Sequence, residues 1–157
     1  MLNLKMNTGH QLAMSLRAAY LAMHRQSDAS LAGKEGVTAD QFVVLAVLAE
    51  EDRITQQTLV QRTSSDPNTI GAMVTLLERQ NVVTREPHPT DGRARIVILT
   101  KKGRQTFARL KTRSENVRRK LEGLFRPDES ALLVELLGRI AESDLFSQPE
   151  RIGDLRQ

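Results

Sequence analysis

Along most of the chain apolar side chains recur every three or four residues; in one short region the spacing falls to two. Leu12, Leu16, Ala19, Tyr20 and Met23 mark an amphipathic helix. Thr8-x-x-Gln11 can open that helix as a capping box, and the polar stretch Ser27 to Gly33 should end it. Thr38-x-x-Gln41 is a second capping box, with Val37 and Phe42 at the positions of a hydrophobic staple. The run Phe42, Val43, Leu45, Ala46, Leu48, Ala49 then predicts a strongly apolar helix that stops at Glu50-Glu51-Asp52. Thr55 caps a short third helix reaching the region of Arg62, with Leu59 and Val60 as its apolar residues.

Thr63-Ser64-Ser65-Asp66 reads as a turn, and Asp66-Pro67 as a sharp helix start, an Asp cap followed by Pro at the first helical position. Ile70, Met73, Val74 and Leu77 line one face of this fourth helix, which should end near Asn81. The period then changes. Val82–Arg85 and Arg95–Leu99 are short β-branched runs, separated by the breaker-rich Glu86–Arg93, which predicts a hairpin with a long basic tip. Thr100 can cap a long helix through Leu124, with a seam of Phe107, Leu110, Ser114, Val117, Leu121 and Leu124 suited to lengthwise packing on another helix. Pro127 opens a last helix with Leu132, Leu133, Leu136, Leu137 and Ile140 on one side, and the tail from Ser147 is expected to be loose. The fold class is mainly α with a small β-hairpin (α+β).

Composition adds constraints. With aromatics at 3% and no Trp, the core must be built from aliphatic side chains. The absence of cysteine removes disulfides, thiol sensing and Cys-ligated metal sites. No secretory pattern and no apolar run near the roughly 20 residues of a membrane span is visible, so a cytoplasmic protein is expected. Net charge is +4, but residues 79–126 hold fourteen basic and four acidic side chains, a local balance of +10. Such concentration points to a polyanionic partner.

The order helix, short helix, turn, helix, strand, basic tip, strand is that of a winged helix-turn-helix, whose second helix enters the major groove of DNA. Here that helix starts at Pro67. Ile70, Val74 and Leu77 share a buried sector, while Asn68, Ala72, Thr75 and Arg79 lie opposite, with Thr69 on a flank. These small polar side chains near the helix start suit close approach to base edges. On the hairpin tip Arg93 and Arg95 suit a narrow, electronegative minor groove, and Asp91 stands close enough to steer the Arg93 guanidinium. The same faces would also serve a winged-helix module that binds protein partners and no DNA; salt dependence of duplex binding separates the two.

Asp66-Pro67-Asn68-Thr69-Ile70 and Leu77 to Val83, followed by Asp91-Gly92-Arg93-Ala94 and Leu99-Thr100-Lys101-Lys102-Gly103, resemble the recognition helix, wing and fifth-helix start of the MarR family of bacterial transcriptional regulators. The resemblance runs from about residue 9 to residue 147. It implies one MarR-like domain over 1–157, with a winged helix-turn-helix over 38–100 and a helical dimerisation region over 9–30 and 101–147. It also implies a homodimer on double-stranded DNA with a pseudo-palindromic operator, Arg93 in the minor groove held by Asp91, and repression relieved by a small, often aromatic or phenolic, anion. The apolar face of the last helix independently argues for a dimer.

Three positions depart from the family pattern: the turn Thr63-Ser64-Ser65 lacks the usual Gly, Leu76 replaces a polar residue, and Asn81 replaces a Gly. Arg17, Tyr20 and His24 share one face of the first helix and are candidate effector-pocket residues. Three histidines in all make a zinc site a poor expectation, and no phosphate loop, nucleophile–base pair or dinucleotide motif points to an enzyme or a cofactor.

Overall fold

The computed structural model describes residues 8–143. The expected loose tail from Ser147 and the last residues of the 101–147 region lie outside them. The elements are α1 (Thr8–Leu31), α2 (Ala39–Glu50), β1 (Ile54–Thr55), α3 (Gln56–Thr63), α4 (Pro67–Arg79), β2 (Val83–Pro87), β3 (Arg95–Leu99), α5 (Lys101–Glu122) and α6 (Pro127–Ala141). They fall into two compact units, with the division after Val117, within α5. The fold is mainly helical with a small antiparallel sheet, as the sequence predicts.

Caps explain most helix starts. Thr38 Oγ1 accepts from the Gln41 amide at 3.3 Å, and the Gln41 side chain accepts from the Thr38 amide at 3.1 Å, closing the expected box. Thr55 Oγ1 accepts from the Thr58 amide at 3.1 Å. Asp66 Oδ1 accepts from the Thr69 amide at 2.9 Å, with Pro67 at the first helical position. Thr100 Oγ1 accepts from the Gly103 amide at 2.9 Å at the head of α5. That helix ends at Glu122, before Gly123, so Leu124 stands outside it and leaves the predicted seam.

The first unit holds an aliphatic core. Val44, Leu45, Leu48, Leu59, Ile70, Val74, Leu77, Val97 and Leu110 are completely buried, and Phe42 and Phe107 stack at its edge with ring centroids 5.6 Å apart. Each such burial stabilises by about 1.5–3 kcal/mol before the entropy of ordering is counted. The hairpin pairs β2 with β3 from Val83–Leu99 to Pro87–Arg95, two residues further toward the tip than predicted. An unforeseen two-residue strand, β1, pairs with the other edge of β3 through Ile54–Val97 and Thr55–Ile96. Asp52 fixes this corner by accepting from the amides of Leu99 (3.0 Å) and Arg53 (3.0 Å) and from Arg104 (2.8 Å).

In the second unit α6 has no buried residue, and Leu132, Leu133, Leu136, Leu137 and Ile140 are all exposed. In the first unit α1 likewise exposes Leu12, Leu16, Tyr20 and Met23. No helix among the described residues is long and apolar enough to cross a membrane.

Candidate nucleic-acid interface

The turn between α3 and α4 sets the angle of the second helix. Ser64 takes the left-handed conformation (φ 52°) that a Gly adopts at least cost, and its amide donates to the Gln61 carbonyl at 3.3 Å. Ser65 follows, donating from its amide to the Val60 carbonyl at 3.1 Å. The chain thus makes the sharp turn without glycine. Asn81, at φ 56°, makes the corresponding left-handed residue after α4, where Asn is well tolerated.

The start of α4 is rigidly capped. Both Asp66 oxygens are engaged by Thr69, and this holds the Asp66 carboxyl below its ordinary value, chiefly through the Thr69 hydroxyl and then its amide. Ile70, Val74 and Leu77 are buried, as the helical angles require. Pro67, Asn68, Thr69, Ala72 and Arg79 are exposed on the other side. Thr75 is half-buried, and its hydroxyl donates to the Gly71 carbonyl at 2.8 Å. A helical threonine satisfied in this way offers an outside partner its methyl group more readily than its proton. Leu76, one of the departures from the family pattern, is 46% exposed and extends this outer face with an apolar side chain.

The wing tip runs from His88 to Ala94. The His88 amide donates to the Ala94 carbonyl at 3.2 Å, and the Ala94 amide to the Asp91 carbonyl at 3.1 Å. Inside the loop His88 Nδ1 accepts from the amides of Thr90 (3.3 Å) and Asp91 (3.2 Å), which requires that nitrogen to be unprotonated. The Asp91 carboxylate accepts from the Arg93 backbone amide at 2.9 Å, where a bond to the guanidinium was expected. An Asx turn of this kind shapes the loop that carries Arg93 and leaves its charge uncommitted. Arg93 and Arg95 are exposed, with no side-chain partner among the described residues.

Two residues lock wing and helix together. Arg85 of β2 donates to Glu78 of α4 from its amide (3.2 Å), its Nε (3.0 Å) and a terminal nitrogen (2.5 Å). The Arg85 side-chain bonds hold the Glu78 carboxyl below its usual range. A cleft of about 310 Å³ then sets Thr55, Gln56 and Gln57, at the head of α3, beside Asp91, Arg93 and Arg95 of the wing. The two glutamines were not singled out in the sequence. Their only local signal is their place at the start of a capped helix, where amide donors are unsatisfied and favour anions.

The candidate effector residues are partly brought together. Tyr20 and His24 are in ring contact, with centroids 5.5 Å apart. Tyr20 lines a cleft of about 330 Å³ with Asp40, Val43, Thr63, Ser64 and Met73, but Arg17 does not reach it. His24 sits between two carboxylates, with Nδ1 3.1 Å from Asp28 and Nε2 3.3 Å from Asp40. Asp28 also accepts from the Ala39 amide at 2.8 Å, so this cluster joins the end of α1 to the head of α2.

Residues 35–94, which include the helix-turn-helix and the wing up to Ala94, match the model of the MarR family. The transcriptional regulator HosA of Escherichia coli is 27% identical over 104 residues, which cover 66% of this chain and 77% of HosA. The PcaV transcriptional regulator of Streptomyces coelicolor, solved with its natural ligand, is 27% identical with a TM-score of 0.74, covering 91% of this chain and 97% of that one. The transcriptional repressor CouR, solved on a 23-mer DNA duplex, is 28% identical with a TM-score of 0.75, covering 88% of this chain and 98% of that one.

Proposed function

From the premise that this chain is a transcriptional regulator of the MarR type, we propose that it binds a pseudo-palindromic operator as a homodimer and represses until a small anion releases it. One observation carries the DNA reading. The exposed start of α4 and the uncommitted Arg93 and Arg95 belong to elements locked together by Glu78 and Arg85. Asn68, Thr69 and Ala72 address base edges in the major groove, with Pro67 at the helix start, Thr75 adding a methyl and Arg79 a phosphate contact. Arg93 enters the minor groove beside Arg95, and Asp91 acts through the loop backbone.

The dimer is supported by apolar surface that water disfavours. Leu132 is 53% exposed, Leu136 and Leu137 41% each, and on α1 Leu12 is 56% exposed. A second copy covers each of these faces, which gives 9–30 and 101–147 their role in dimerisation and leaves 38–100 to DNA. Repression and a ligand response are supported by the similarity to CouR, a transcriptional repressor solved on DNA, and to PcaV, solved with its natural ligand. The effector is an aromatic or phenolic anion at the cleft that Tyr20 lines; Arg17 and His24, on the same helix, are not among its walls.

Selection of bound duplexes from a random DNA pool tests the reading, followed by affinity for the winner across a salt series. A palindromic winner whose affinity falls steeply with salt is expected, since each neutralised phosphate releases counterions. A folded dimer that enriches no duplex in the absence or presence of phenolic acids would refute it.

A further inference from the structure

We propose that a second cleft, at the C-terminal end of α4, binds a small dianion that carries a hydroxyl group, and that occupying it is felt by the recognition helix. The cleft has a volume of about 600 Å³ and is distinct from the Tyr20 cleft. Lys34, Glu35, Gln80, Lys102, Thr106 and Arg109 line it. Three cations against one carboxylate leave a charge of +2 on these walls. The carboxylate is moreover already paired, with Glu35 3.2 Å from Arg109 Nε, itself one of the three cations, and 2.9 Å from Arg113 outside the cleft walls. The Lys34 ammonium has no partner among the described residues.

Two neutral groups give the site its finer chemistry. Thr106 is 2% exposed, and its hydroxyl accepts from Arg109 at 3.3 Å but donates to no atom among the described residues. Thr63, Thr75 and Thr112, also on helices, each donate to the carbonyl four residues back, at 2.7, 2.8 and 3.2 Å. Thr106 therefore retains a proton for an anion in the cleft. Gln80 is the complement. Its Oε1 is shut off from water and meets no donor, while its Nε2 holds the Gly36 carbonyl only at 3.4 Å. A buried acceptor without a donor is costly, so the amide gains by giving up that long bond and turning to a ligand hydroxyl. Two negative charges and one hydroxyl satisfy what these walls offer.

The link to α4 is Lys102. Its Nζ donates to the Gln80 carbonyl at 2.7 Å and so satisfies one of the last carbonyls of the helix. An anion in the cleft competes for that ammonium and loosens the end of α4. This coupling rests on the reading that α4 enters DNA; the binding site itself does not.

Calorimetric titration of the full chain at fixed ionic strength with malate, succinate and glycerol 3-phosphate tests the site. Malate should bind saturably and about tenfold more tightly than succinate, which has the same charge and no hydroxyl. A preference for glycerol 3-phosphate over malate would place the ligand among phosphate monoesters, and the reverse among hydroxydicarboxylates. Lys34→Ala, on an exposed loop, and the near-isosteric Thr106→Val should each weaken binding about tenfold with an unchanged circular dichroism spectrum. No saturable heat from any of the three anions overturns the site, as does undiminished affinity in both variants. For the coupling, saturating malate should change the affinity for the selected duplex about fivefold in the native chain and not in Lys34→Ala. An unchanged duplex affinity with malate bound refutes the coupling alone, and absence of any duplex affinity refutes only the operator reading.

Discussion

Replacing Gly103 by Ala sets two effects of opposite sign against each other. In an exposed helix the change would stabilise, because Ala is favoured over Gly by about 1 kcal/mol. Gly103 is not exposed: a Cβ built there lies 2.0 Å from the Val82 carbonyl oxygen and 3.0 Å from a Leu99 methyl carbon. A carbon and a carbonyl oxygen come no closer than roughly 3.3 Å without repulsion, so the head of α5 must retreat by more than an ångström. The obstacle is backbone and cannot rotate aside. That same carbonyl accepts from the Thr100 amide (3.1 Å) and the Thr100 hydroxyl (3.1 Å), so the retreat also strains the cap.

Overpacking of this kind costs about 1–3 kcal/mol, and each weakened hydrogen bond about 1 kcal/mol more. Against the gain of about 1 kcal/mol, the net is a loss of about 2 kcal/mol or more. For a chain of this size that lowers Tm by roughly 4–8 °C. Thermal unfolding followed by circular dichroism reads it, with native chain and variant at one protein concentration because association would shift Tm. A variant as stable as the native chain, or more so, would mean that helix propensity decides, and the close approach of α5 to Val82 would be refuted.

Further outcomes follow from other parts of the structure. Arg93→Ala should lower duplex affinity by about 1–3 kcal/mol without altering Tm; unchanged affinity in a folded variant removes Arg93 from the groove. Ser64→Gly should raise stability by about 0.5–1 kcal/mol in urea by relieving the left-handed serine, and a loss would mean that the turn is not strained. The Glu78 carboxyl is depressed from an ordinary value of 4.5 by Arg85, so its contribution is present above that value and lost as pH falls through the folded one. The Tm of the native chain should therefore fall more than that of Glu78→Gln between about pH 5 and pH 3, and parallel curves would show that the pair adds nothing. Leu136→Glu should convert a dimer into a monomer by sedimentation at micromolar concentration; an intact dimer would show that this face of α6 is not covered by a second copy.

Much of this architecture is legible locally. Thr38 with Gln41, Thr55, and Asp66 with Pro67 announce their helices because a cap is a bond between residues three apart. The buried face of α4 follows from the helical period alone. The features that escape are those set by distant chain. Ile54–Thr55 forms a strand only because β3 offers an edge, and two residues carry no period of their own. Spacing places Asp91 near Arg93 but does not say whether its carboxylate takes the guanidinium or the backbone amide. Thr75 has the right angle for an outward face, yet its hydroxyl is spent within the helix. Gln56 and Gln57 become part of the candidate interface only when the wing folds beside α3.

The Glu78–Arg85 lock fixes a ruler. The step from α4 to the wing, the proposed major- and minor-groove elements, is held by a charged, multiply bonded pair. On the proposed reading, variation among operators falls in the spacer between half-sites, while the internal pitch of each half-site stays constant.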